Sequence, residues 1–154
     1  MRWTTRPHGV RAIGFGVVIL GLAVLTTVRP QAQAAAKPPA TGVKAVASVM
    51  EVMRTMTIPF SNAVFAAGSE PPKDDAVWLA ARDQAVALAE SGNLLMMGSR
   101  VKDRAAWLKF SRAQVDAAEL AAKAAGAKNA EALSSAADGI YETCANCHKV
   151  YLAK

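Results

Sequence analysis

Five residues near the C-terminal end, Cys144-Ala145-Asn146-Cys147-His148, constrain this chain more than any other stretch of it. Two thiols three positions apart, with a histidine directly after the second, form the C-x-x-C-H signature of covalent c-type haem attachment. The spacing has a chemical reason. Each thiol can add to one of the two vinyl groups on a haem edge, and the adjacent imidazole then lies under the iron as an axial ligand. Other uses of a C-x-x-C pair fit less well. A closed zinc site needs four Cys or His ligands, and beyond the first 34 residues the chain has only Cys144, Cys147 and His148. A thioredoxin-like dithiol belongs in an alternation of strands and helices, and no such alternation is evident.

The opposite end speaks to compartment. Arg2, Arg6 and Arg11 precede an apolar run over residues 12–28, and Arg29-Pro30 and an alanine-rich stretch follow. This is the layout of a signal peptide, with Ala32-Gln33-Ala34 as a small-residue cleavage site. Residues 1–34 are therefore expected to be a leader, and the remainder to lie in the periplasm. The alternative is an uncleaved anchor facing the periplasm from the inner membrane, since the run falls between an h-region and a spanning helix in length. Residues 35–42 form an expected flexible lead-in, and residues 43–154 the domain.

Charge excludes one class of partner. Residues 35–154 hold 14 of the 18 Lys and Arg and all 12 Asp and Glu, a formal charge of +2 rather than +6. The basic character of the whole chain is mainly a leader effect and gives no reason to expect nucleic acid. Within residues 100–128, Arg100, Lys102, Arg104, Lys109, Arg112, Lys123 and Lys128 outnumber Asp103, Asp116 and Glu119. The plain expectation is a solvated helix face. The sharper ones are a docking patch for an acidic redox partner, or counter-charge for haem propionates.

Hydrophobic periodicity predicts helices and no strands. Val43, Val46, Ala47, Met50 and Met53 follow three-and-four spacing, which predicts a first helix with that face inward. Pro59 should break or kink it near Thr57 or Ile58, leaving a short piece over Phe60–Ala67. Gly68–Lys73 (GSEPPK) predicts a loop. A second helix should start at Asp74 or Asp75, with Trp78, Ala81, Ala85, Leu88 and Leu95 along one side. Ser91-Gly92-Asn93 weakens it, and Gly98-Ser99 ends it. A third is expected from about Asp103 to Ala125, with Trp107, Phe110, Val115 and Leu120 as its large apolar residues and Gly126 as its stop. Asn129 should cap a fourth, whose inner face carries Leu133, Ala137, Ile140, Cys144, Cys147, His148 and Tyr151. Four such helices with short connections predict an all-α antiparallel four-helix bundle with covalently attached haem. The alanines of the last two helices leave room for a flat cofactor.

With the motif at the end of the last helix and Tyr151 following it, the chain resembles the class II c-type cytochromes, the cytochrome c prime group and its low-spin relatives. The resemblance is one of layout from about Val43 to Tyr151, and is residue-specific only over the last dozen positions. It implies a haem c held by Cys144 and Cys147, with His148 as proximal ligand and a residue of the first helix on the distal side. His8 falls in the leader, so the sixth ligand is a methionine sulfur or none. Met50, Met53 and Met56 crowd the first helix; Met53 is the central choice, Met50 the alternative, and Met96 and Met97 are more remote. Methionine is also a common gap-filler of cores. Trp78 and Trp107 are expected in packing, as are Tyr141 and Tyr151, which could also reach a propionate; Arg54 is expected in solvent. Ser61 and Asn62 should satisfy local backbone groups.

Two functions follow as expectations. One is single-electron transfer to periplasmic redox proteins. The other is a five-coordinate haem protein that binds nitric oxide or carbon monoxide. No acid–base pair or nucleophile suggests substrate turnover. A membrane enters only if the leader is retained, and a homodimer is compatible with either function.

Overall fold

The structure, a computed structural model, describes residues 44–152. The expected leader and lead-in lie outside the described residues. Among the latter no helix is long and apolar enough to cross a membrane.

The described chain is all-helical. It forms α1 (Val49–Val52), a π turn (Met53–Thr57), α2 (Ile58–Ser69), α3 (Asp75–Leu95), a 3₁₀ turn (Gly98–Arg100), α4 (Arg104–Gly126) and α5 (Ala130–Tyr151). α1, the π turn and α2 follow without a break and form one rod. Four rods result, and short connections turn each back on the last. The first rod packs against α3 and α5, α3 against α4, and α4 against α5, which closes the ring of a helical bundle.

Three of the four rods begin where the caps predict. Asp74 accepts from the Val77 N–H at 2.9 Å, Asp103 from those of Ala106 and Trp107, and Asn129 from that of Ala132. Each satisfies backbone donors that the first helical turn leaves open.

The first rod departs from expectation in three ways. It starts at Val49, not Val43, because Ser48 and Glu51 form a capping box. The Ser48 N–H donates to Glu51 Oε2 at 2.8 Å, and this bond holds the Glu51 carboxyl below its ordinary pKa. The predicted inner face is also wrong: Val46 is 85% exposed and Met50 63%. The buried positions are Val52, Thr57, Ser61, Val64 and Gly68. Finally, Pro59 does not break the rod. The Ile58 N–H reaches back five residues to the Met53 carbonyl, so the hydrogen-bond ladder has already shifted when Pro59, which lacks an N–H, arrives.

Two glycines expected to loosen the chain instead tighten it. Gly68 is the penultimate residue of α2, and a Cβ there would lie 2.9 Å from Ala137 Cβ on α5. Gly92 is buried within α3, where a Cβ would meet Val115 Cγ2 at 2.8 Å. Both mark places where rods touch through backbone. Around them lies the main core, which includes Val64, Trp78, Ala85, Leu88, Ala118, Ala121, Leu133 and Ile140. Leu120, expected inside, is 59% exposed, because α4 buries Trp107, Ser111, Gln114, Ala118, Ala121 and Ala125.

Candidate functional site

The C-terminal half of α5 leaves the main core and borders a cavity of about 840 Å³. That is within the size range of small-molecule and cofactor sites, about 300–1,000 Å³. Cys144, Cys147 and His148 line one wall. Met50 and Met53 line it from the first rod, Trp107, Phe110, Ser111 and Gln114 from α4, and Ser99, Arg100 and Lys102 from the α3–α4 connection. The cavity exists because the rods diverge. α1 and the π turn pack mainly on α3, whereas α2 packs on both α3 and α5.

Each candidate side chain has a structural reason for its place. Cys144 and Cys147 follow Ile140 at four- and three-residue spacing, which carries the core stripe of α5 past the end of the core and into the cavity wall. Both thiols are half-buried and free. Burial raises the pKa of each; at Cys144 a hydrogen bond with Thr143 opposes the rise, and at Cys147 the neighbouring Cys144 adds to it. His148 is exposed but turned along the same wall.

The end of α5 is clamped to the start of α4. The Tyr151 hydroxyl donates to Asp103 Oδ2 at 2.5 Å, and its ring meets Trp107 edge-on with centroids 4.9 Å apart. Desolvation and the Asp103 contact push the Tyr151 phenol up to about 12, and the same hydrogen bond lowers the Asp103 carboxyl. The Trp107 indole N–H donates to the Leu95 carbonyl at 2.8 Å. Trp107, Val52 and Leu95 thus form a second, smaller core, with Met53 packed against it.

The cavity floor is polar. Ser91 Oγ donates to the Leu88 carbonyl and accepts from Thr57 Oγ1 at 3.1 Å and Gln114 Nε2 at 3.0 Å. Gln114 Nε2 also reaches the Leu88 carbonyl at 3.3 Å. These bonds fix the amide with its nitrogen inward. Ser61 Oγ donates to the Ile58 carbonyl, a local backbone bond of the kind expected for it.

The structure therefore brings Met50 and Met53 to the same cavity as the C-x-x-C-H residues. Met56, Met96 and Met97 are half-buried but stand outside the lining, as does the exposed Arg54. Trp78 is in the main core and Trp107 in the cavity wall, while Tyr141 and Tyr151 both border the cavity. Lys102, Arg104, Lys109, Arg112, Lys123 and Lys128 are exposed, as a solvated face requires, and Arg100 alone of that set departs from it at 6% exposed. Sequence reasoning also missed Thr57, Ser111 and Gln114. Its signal for α4 was the stripe 107-111-114-118-121-125, whose perfect three-and-four spacing is obscured by small and polar members. Among the described residues no group of three or more His, Cys, Asp or Glu side chains converges to hold a bare metal ion. Compared with protein-family models, curated proteins and solved structures, the chain finds no match in any of the three.

Proposed function

We propose that this chain is a periplasmic c-type cytochrome of the class II kind that passes single electrons. In this reading haem c is bound through Cys144 and Cys147, with His148 as proximal iron ligand and Met53 on the distal side. The observation that carries it is the shared cavity: a covalent-attachment motif and two thioethers, more than 90 residues apart in sequence, face one cofactor-sized space.

The donor set fits the group. Two thiols suit thioether linkage, an imidazole and a soft sulfur suit haem iron, and aromatic rings supply flat apolar walls. When bound, haem supplies the one-electron chemistry of its iron. The chain's residues do the rest. Cys144 and Cys147 would hold the haem on α5, and the Tyr151–Asp103 clamp holds that turn against α4. Trp107, Phe110 and Phe65 keep water from the interior. Met53 is favoured over Met50 because it is half-buried and packed on Val52, Leu95 and Trp107, whereas Met50 stands largely in solvent. His148 and Met53 would hold the iron from two sides, and a methionine sulfur would favour its reduced form. The leader over residues 1–34 delivers the chain to the compartment where such haem is attached and where redox partner proteins meet it.

The test is a denaturing gel of protein from cells competent in cytochrome maturation, stained for haem peroxidase activity. A stained band at the mature mass is expected, and an unstained one overturns the reading. On the stained protein, ferrous wild type should refuse carbon monoxide and Met53→Ala should accept it. Ready uptake by the wild type would replace electron transfer with the gas-binding function.

A further inference from the structure

Arg100 is the one charged side chain buried in the cavity wall. Its Nε donates to the Ala47 carbonyl at 2.8 Å and its Nη1 to the Leu94 carbonyl at 3.0 Å. Both acceptors are neutral, and Arg100 takes part in none of the ion pairs among the described residues, which join Lys73–Glu70, Arg82–Asp83 and Lys128–Asp75. A guanidinium has five N–H donors, so three remain. A buried charge without a counter-charge is costly, and buried arginines are ordinarily paired.

The lining as a whole has the same bias. Lys102 and Ser99 stand with Arg100 in the α3–α4 connection, and Ser48 faces them from the start of the first rod. Among the described residues the lining includes no aspartate or glutamate. The space therefore has apolar and aromatic walls, two thiols at one side and a cationic corner formed by the α3–α4 connection. That pattern matches a flat apolar body with carboxylates on one edge.

We propose that Arg100 binds a carboxylate of the cavity's occupant, with Lys102 as a weaker, solvent-facing second contact. Resting on the haem reading above, the carboxylate is a haem propionate. The guanidinium offers it a planar, two-pronged contact that lysine cannot. Because Nε and Nη1 already hold the chain before α1 and the end of α3, Arg100 is set in place before the carboxylate arrives. It is thus a positioning residue: the two thioether links would set which edge of the rigid ring faces the α3–α4 connection, and Arg100 would hold the propionate presented there.

Resonance Raman spectra of the haem-bearing full chain test this through the propionate bending modes. Arg100→Gln should shift the mode of one propionate while the iron–ligand modes and optical bands stay in place. Lys102→Gln should shift it less. A haem-bearing Arg100→Gln protein with unchanged propionate modes overturns the assignment. Should Arg100→Gln fail to accumulate, since it also loses hydrogen bonds to Ala47 and Leu94, Arg100→Lys keeps the charge and loses the fork. It should shift the same mode by a smaller amount, and no shift there is equally fatal. A wild-type chain without haem overturns the underlying reading, and the gel stain identifies that failure separately.

Discussion

Toward the α2–α3 and α4–α5 turns, the rods face each other mainly with alanine, glycine and aliphatics, with Trp78 as the large aromatic among them. Toward the opposite end they face each other with tryptophan, phenylalanine, tyrosine and methionine. The smaller side chains make the tighter half. Alanine and glycine let helices approach until backbone nearly meets backbone, as Gly68 does at Ala137. The aromatic half encloses instead of filling. The side chains that line this space lack packing partners on its side. Its occupant, whether cofactor or water, is therefore part of that half's structure. The alanine-lined half needs none.

That contrast is open to direct attack, and core truncation is the heaviest test. Leu88 is fully buried in the tight half, and Leu88→Ala should cost about 2–5 kcal/mol in urea unfolding. Phe110→Ala, in the cavity wall, removes more atoms and should cost less than half as much, because one of its faces already borders the cavity. Equal costs would mean that the two halves are packed alike.

A subtler break is to add an atom where the rods touch. Gly68→Ala places a methyl 2.9 Å from Ala137 Cβ and should destabilise by about 1–3 kcal/mol despite alanine's better helix propensity. A stabilised variant would show that α2 and α5 can part there without penalty.

Smaller still is the effect expected at the polar seam between the halves. Gln114→Leu removes the bonds to Ser91 and the Leu88 carbonyl and should cost about 1 kcal/mol. Chemical denaturation with Thr57→Val as a companion would sharpen this, since both changes act on Ser91 and should be less than additive.

The last prediction concerns reactivity and not stability. In chain made without haem attachment, burial keeps both thiols protonated at neutral pH. Their pKa values are raised, so the thiolate fraction is lower than in a free cysteine and grows only at higher pH. Alkylation should be slow at pH 7 and still climbing above about pH 8.5, where an ordinary thiol is already half ionised. Alkylation as fast as that of a short peptide at pH 7 would contradict the half-buried placement.

Much of the fold could be read from local chemistry. Asp74, Asp103 and Asn129 announce helix starts because a cap is a three-residue event. Leu133, Ala137 and Ile140 announce the inner face of α5 because their spacing is regular. The first rod was misread where two local signals competed. Ser48 and Glu51 spell a capping box, but the apolar spacing from Val43 pointed to an earlier start. Pro59 was misread because its accommodation depends on a π turn, which no propensity encodes. Gly68 and Gly92 resemble breakers in sequence; only the neighbouring rod reveals them as contacts. The spacing from Ile140 carries Cys144 and Cys147 onto the inner face of α5, and they border the same cavity as Met53. The place of Arg100 was not legible, since its burial arises from a loop folding back over the chain before α1.

The π turn gives the first rod one residue more than a regular helix needs between Val52 and Thr57, which occupy successive inward positions five apart. In a regular helix one extra residue would rotate everything beyond it by roughly 100°, and the π turn absorbs that rotation. The rod is consequently two phrases of different sequence phase, the first packed on α3 and the second on α3 and α5. A single-residue deletion within residues 54–56 would turn the π turn into an α turn and leave both phrases aimed as they are. The same deletion anywhere else in the rod would slide one phrase off its target. The molecule thus carries a place where its length can change without its meaning changing.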